Sequence, residues 1–443
     1  MTRFLLLLLL LLLSVAPAPA AALSHIVWST FYGSGGSYLG QTVAVGQDGS
    51  IVLGATYATD CGHSCRAHTH GFILDLATDG HTVHWRKNFP ADINALAIDR
   101  QGDIVFTGTT TKRTFPLVHA FQSHAKGQAA VVAKLSPHGD ILFSTYLGGF
   151  ITSGSAIATD PAGNVYVAGS TSGWTLPTIH AVQPHWGGQT APNSFGTDAF
   201  IAKFTASGHV IYSTYLGRKQ NDEADGIVAD AAGNAYISGW TASTAFPTVH
   251  RLPGTACGQA SAFLAEIAPS GSHLVRSTCL PHSASGFATH LILAPDGSLY
   301  LSNNSRHLWR FAQNRLTAVG SIPDAFSVIA MAPGPNGSVL LAGSMPQADR
   351  RQCGRDDHSH TCSDAAVLEI GADGKTLLTV RLGGKADDEA HAVATLGAGI
   401  VLTGMTASTD FPVQAPLQAM NGGIVSEYYS GPMDMFITHV SAP

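Results

Sequence analysis

Charge is scarce in this chain of 443 residues: Lys, Arg, Asp and Glu together make up 12% of it, against ~25% in an ordinary soluble domain. A chain so poor in charge, with 45% apolar residues, is neither a disordered tail nor a coiled coil. Basic runs are missing as well. The 23 Lys and Arg against 29 Asp and Glu give a formal net charge of -6, and no stretch of Lys or Arg is long enough to follow a phosphate backbone. Nucleic acid is therefore excluded as the expected partner. Beyond residue 22 no apolar run reaches the ~20 residues that a bilayer-spanning helix needs, so no membrane span is expected in the mature chain. Enzyme motifs are missing too. There is no His-Glu-x-x-His and no Gly-x-Ser-x-Gly, and Gly374-Lys-Thr376 has Glu369 where a phosphate loop needs its first glycine.

The longest apolar stretch stands at the start. Arg3 precedes nine consecutive leucines at residues 5–13, then Pro17, Pro19 and a run of small residues up to Ala22. This is the pattern of a secretory signal peptide, so residues 1–22 are expected to be removed. Residues 23–443 are then expected to form one soluble, monomeric, exported domain, periplasmic or extracellular, in a compartment where six cysteines can be oxidised.

Glycine is abundant, at 48 residues, and it recurs in register. Phe143-Ser-Thr-Tyr-Leu-Gly148 returns as Tyr212-Ser-Thr-Tyr-Leu-Gly217, and in weaker form as Trp28-Ser-Thr-Phe-Tyr-Gly33 and Arg276-Ser-Thr-Cys-Leu280. A second landmark follows each time: Asp160-Pro-Ala-Gly-Asn164, Asp230-Ala-Ala-Gly-Asn234, and eroded copies near Gly49, Gly102, Gly297, Gly337 and Gly399. These glycines are spaced by roughly 40 to 70 residues, the period of propeller blades. In the third unit, residues 155–159, 164–169, 199–204 and 210–216 read as four strands, with the Asp-to-Asn segment as the tight turn. The seven landmarks therefore predict an all-β, seven-bladed β-propeller of four-stranded antiparallel blades. Residues 435–440 read as the third strand of the last blade and residues 25–33 as its fourth, so both ends of the chain are expected to close one blade and remove two open sheet edges.

The sequence also has Gly169-Ser-Thr171, Gly239-Trp-Thr241 and Gly404-Met-Thr406, followed by Leu176-Pro177, Phe246-Pro247 and Phe411-Pro412, with Phe115-Pro116 in the second unit. Together these repeats resemble the bacterial seven-bladed β-propeller repeat family, the SBBP repeat. The resemblance implies the fold, and a secreted or surface protein with no particular activity.

Function is expected on one face, where the loops between second and third strands meet those leading into the next blade. The aromatic residues Trp174, Trp186 and Trp240 are candidate ligand contacts there. So are the acidic pairs Asp222-Glu223 and Asp388-Glu389, which could bind Ca²⁺ or act as acid and base, or could simply cap a turn. Two insertions combine Cys and His. His63, His68, His70, His358 and His360 are candidate zinc ligands, while export favours disulfides between Cys61 and Cys65 and between Cys353 and Cys362. Cys257 and Cys279 are expected to pair when the loop before one strand folds back on its neighbour. No cofactor is firmly implied. The favoured reading is a binding or scaffold module for an extracellular glycan or protein; the alternative is a metal-assisted polysaccharide lyase or hydrolase using the same face.

Overall fold

The computed structural model describes residues 25–33, 35–58, 69–191, 194–258, 260–281, 290–302, 306–347, 362–425 and 432–441. The signal-peptide segment therefore lies outside the described residues. Apart from a 3-10 turn at Pro335–Gly337, the regular structure named among the described residues is β-strand.

The strands form antiparallel meanders. Four stand alone as four-stranded sheets, beginning with Ser37–Val45, Asp222–Ala229, His290–Leu293 and Ser327–Pro333. Two more meanders, beginning with Asp92–Ile98 and Phe150–Thr159, merge into one eight-stranded sheet through two parallel pairs, Phe150 with Gly127 and Ile151 with Gln128. This join departs from the separate blades expected from the repeats. Its cause is the short Gly148-Gly149 link: Gly148 (φ 73) and Phe150 (φ 67) take left-handed conformations, which set the start of the new strand against the edge of the old one. In the last sheet, Ile26–Tyr32 lies antiparallel to Pro432–Val440, followed by Gly399–Thr406 and Asp388–Leu396.

The innermost strand of each meander lies against the innermost strand of the next. Ser37–Val45 touches Asp92–Ile98, which touches Phe150–Thr159, and so on through Asp222–Ala229, His290–Leu293, Ser327–Pro333 and Asp388–Leu396, which returns to Ser37–Val45. The second and third strands are sandwiched between neighbouring sheets, so they read as continuous apolar runs rather than as alternating ones. Every residue of Asp198–Phe204 is buried, and all but one of Val165–Thr171. The cores accordingly lie between sheets: Val105, Val132 and Phe143 meet Val167, Phe200 and Phe204 in one, and Val401 and Ile437 of the last sheet meet Leu53, Phe72 and Leu74 of the first in another.

The Gly-x-Thr landmark has a physical explanation. Six innermost strands shift register at equivalent points, leaving Gln41, Asn94, Ser155, Asp225, Ile329 and His391 as bulge residues. The bulge drives a carbonyl oxygen into the second strand. A Cβ on Gly169 would lie 1.9 Å from the Ser153 oxygen, and one on Gly239 or Gly404 would be equally close to Glu223 or Glu389. No side chain fits at those positions.

Candidate functional site

The loops of the candidate face are rooted by the Phe-Pro motif. Phe115, Leu176, Phe246 and Phe411 are buried, and the residues after them pair with the fourth strand, as Ile179 does with Ser213 and Val249 with Ser277. His180 and His250 then turn with positive φ, and their Nδ1 atoms hydrogen-bond with the carbonyls of Ile211 and Val275 at 2.9 and 3.0 Å. These histidines serve the fold.

The acidic pairs are not open to a ligand as pairs. Asp222 and Asp388 have no exposed surface. The Asp222 carboxylate accepts the Arg218 N–H at 2.8 Å, the Ser243 hydroxyl at 2.8 Å and the Thr241 hydroxyl. Asp388 accepts the Gly384 N–H and the Ser408 hydroxyl, both at 2.8 Å. Burial pushes Asp222 up to about 6 and Asp388 up to about 7 despite these donors. Successive residues of a strand face opposite ways, so Glu223 and Glu389 are separated from their neighbours. Glu223 is half-buried and takes the Thr197 hydroxyl at 3.4 Å, and burial raises its pKa. Glu389 lies 3.3 Å from His391.

Sequence reasoning missed a companion set of acids at the start of the third strands. Gln183 donates to Asp198 at 2.9 Å, Gln347 to Asp364 at 2.9 Å and Gln418 to Asp434 at 3.0 Å. Asp198 and Asp222 converge on Gly217, where a Cβ would be 2.8 and 2.6 Å from their oxygens. Desolvation, with the charge of Asp222 adding to it, lifts Asp198 to about 7; Asp434 reaches about 6. The recurring Asp before an apolar strand, Asp198-Ala-Phe and Asp434-Met-Phe, was the available signal. These carboxylates fasten loop roots.

The tryptophans divide. Trp240 is buried, whereas Trp174 is 66% exposed and lies 6.3 Å from half-buried Trp186. Phe150, which sequence reasoning did not single out, extends the row at 5.8 Å from Trp174, and Ile151 beside it is exposed. The result is a row of three aromatic rings on the loop face.

Among the candidate metal ligands, His63, His68, His358 and His360 lie outside the described residues, as do Cys61, Cys65 and Cys353. His70, expected within an insertion, belongs instead to the strand Thr69–Leu76. It sits opposite Tyr57 with ring centroids 5.7 Å apart, because the neighbouring strand Ile51–Ala58 runs on far enough to pair with it. Among the described residues no three His, Cys, Asp or Glu side chains gather in a way that could hold a metal ion. Cys257 and Cys279 form a disulfide with Cα atoms 5.4 Å apart. Cys362 is also disulfide-bonded.

A second feature is a cavity of about 530 Å³ between the innermost strands, lined in part by the bulge residues Gln41, Asn94, Ser155, Asp225 and His391. His290 also borders it, and desolvation holds its imidazole down at about 4.

No curated protein matches the chain significantly. Among solved structures the chain is similar to Raptor of Chaetomium thermophilum, with a TM-score of 0.52 and 7% identity over 95% of this chain and 29% of that one. It also aligns with the WD40 beta propeller domain of Doa1 (TM-score 0.47, 9% identity, 94% and 97% coverage). A protein of unknown function from Dyadobacter fermentans aligns likewise (0.46, 12%, 94% and 99%). At 7% identity the likeness to Raptor speaks to fold alone. At the level of sequence, residues 142–173 and 211–247 match the family SBBP, described as Beta-propeller repeat, so the chain carries SBBP beta-propeller repeats in the segments where Ser-Thr-Tyr-Leu-Gly and Gly-x-Thr recur.

Proposed function

We propose that the chain is an exported, single-domain, seven-bladed β-propeller that acts as a binding or scaffold module for an extracellular glycan or protein. The sequential contacts of the innermost strands, with the last returning to the first, support a ring of seven blades, counting the eight-stranded sheet as two. The pairing of Ile26–Tyr32 with Pro432–Val440 supports its closure by both ends of the chain. The disulfides accord with an oxidising compartment.

The observation that carries the binding reading is the aromatic row of Phe150, Trp174 and Trp186 on a rigid loop face. A Trp that is 66% exposed against a second Trp presents a broad apolar surface with a polar edge, the kind of surface that marks contact sites. A lyase or hydrolase would need carboxylates that meet its substrate, and the burial of Asp222 and Asp388 favours binding over that alternative. Glycan-array binding and cross-linking of secreted proteins, run with the mature chain and with Trp174→Ala, test the reading. Loss of a specific partner in the variant is the expected result. Equal capture by both proteins would remove the aromatic row from the function.

A further inference from the structure

The aromatic row has a charged extension. Beside it opens a cavity of about 400 Å³ lined by Thr110, Lys112, Arg113, His124, Lys126 and Tyr146 among others. Its lining includes four basic side chains and no carboxylate. Arg113, His124 and Lys126 are exposed, and among the described residues none of the four is in an ion pair. The rim is held rather than loose: the Tyr146 hydroxyl donates to the Lys112 carbonyl at 3.0 Å, and Gln122 Nε2 donates to the carbonyls of His124 and Gly148 at 2.7 and 2.6 Å.

The missing carboxylates have a cause that the strand register makes visible. Across from Thr171, Met345 and Thr406 of three other second strands stand Asp198, Asp364 and Asp434. The equivalent partner of Thr110 is Ala129. The next innermost strand makes the same exchange, with Thr152 opposite Thr171 where Asp222 stands opposite Thr241. This loop root has neither acid and its loop carries cations; the roots at Thr241 and Tyr57, which face Ser261 and His70, also lack the third-strand acid. Its positive charge is therefore not cancelled from below.

Cavity and aromatic row are continuous. The Phe150 N–H donates to the carbonyl of Lys126, so the cavity rim and the first ring share a backbone contact. The row then runs through Trp174 to Trp186. Gly187, beside Trp186, lies against the backbone of Arg218, whose side chain and that of Lys219 are exposed. Cations thus flank three aromatic rings at both ends.

The geometry points to an anionic polysaccharide carrying uronate carboxylates as the ligand of this surface, an inference that rests on the binding-module reading and assigns its ligand class. Aromatic faces receive the C–H faces of pyranose rings, and guanidinium and ammonium groups receive the carboxylates in charge-assisted hydrogen bonds. A protein with net charge -6 repels polyanions in general, so attraction must come from this local field.

The test uses the mature full-length chain with four probes: polygalacturonate, its methyl ester, a neutral dextran and polyglutamate. Polygalacturonate should bind and weaken with added salt. Both Trp174→Ala and the triple variant Lys112→Gln, Arg113→Gln, Lys126→Gln should weaken it by about tenfold or more, since each removes contacts made to the charged or the apolar part of the ligand. The methyl ester should bind as poorly as wild type binds dextran. Unchanged melting curves confirm that the variants are folded. Polyglutamate binding equal to polygalacturonate, and indifferent to Trp174→Ala, would overturn the sugar part and assign the surface to acidic protein segments. Binding of the ester or dextran that depends on Trp174 but ignores the triple variant would overturn the charge inference and leave the binding module standing. No binding to any probe overturns the inference; a protein partner that still requires Trp174 would separate that failure from failure of the module.

Discussion

Replacing Trp28 by Ala tests the most consequential structural feature, the N-terminal strand that joins the last sheet to the first. Trp28 is 3% exposed. Its indole N–H donates to the carbonyl of Thr78 at 3.0 Å, and its ring lies under Gly80, where a Cβ would be 2.4 Å away. Thr78 and Gly80 belong to the turn before Val83–Phe89 of the first sheet, whereas the ring packs edge-on with His439 of the last sheet, centroids 5.8 Å apart. Truncating a buried Trp to Ala costs about 3–5 kcal/mol when the cavity cannot collapse. With an unfolding entropy of about 2.1 cal/mol/K per residue, a domain of roughly 420 residues that melts as one unit should lose about 3–6 °C in Tm. Differential scanning calorimetry and urea denaturation read this directly. Trp174→Ala, made at an exposed site, is the internal control and should stay within about 0.5 kcal/mol. A Trp28 variant that loses less than about 1 kcal/mol would refute the view that this strand locks the two sheets.

Three further outcomes are expected. Changing both Cys257 and Cys279 to Ser opens a loop of sequence separation 22 and should cost about 3 kcal/mol, read as a lower urea midpoint. Gly169→Ala forces a Cβ within 1.9 Å of the Ser153 oxygen and should cost more than about 3 kcal/mol. Gly297→Ala, with positive φ but open space, should lose only about 1–2 kcal/mol; equal losses by expression and melting would disprove the bulge argument. Stability should also depend on pH. Asp198, Asp222, Asp388 and Asp434 are held above the ordinary 3.8, at about 6 to 7, so between those limits the folded state binds more protons than the unfolded chain. Their contribution is complete in acid and declines as pH rises through 6 to 7. His290, held at about 4, acts in the opposite direction and removes stability as pH falls from 6.5 toward 4. Four carboxylates outweigh one imidazole, so Tm should fall as pH rises from about 4 to about 7, and Asp388→Asn should flatten that fall. A Tm that climbs steadily from pH 5.5 to pH 8 would contradict the carboxylate assignment.

Much of the fold was legible in the residues because its signals are local. The Asp160 and Asp230 turns read as turns because Gly163 and Gly233 take positive φ, and because each aspartate accepts the N–H groups of the residues after it. The all-β character, the four-stranded meander, the N-terminal strand beside the last one and the disulfide between Cys257 and Cys279 all follow from such short-range patterns. The alternative offered for Asp222 and Asp388, that they cap a turn, could also be read from repetition alone.

Other features required the neighbouring sheets. The fusion of two meanders into one sheet depends on where Gly148-Gly149 delivers Phe150, and that same delivery makes Phe150 a ring of the aromatic row. Trp174 and Trp240 look alike in sequence, yet one is exposed and the other buried, because each position is decided by the strand or loop facing it. His70 joins a strand because the length of Ile51–Ala58, set by pairing, reaches it. The cationic cavity depends on Ala129 and Thr152 standing where other sheets carry aspartate, a substitution that has meaning only once register aligns strands from different repeats. Local chemistry thus determined the repeating unit, while the contacts between units determined which side chains it leaves open to a ligand, since burial and charge neutralisation are properties of pairs of sheets and not of one segment.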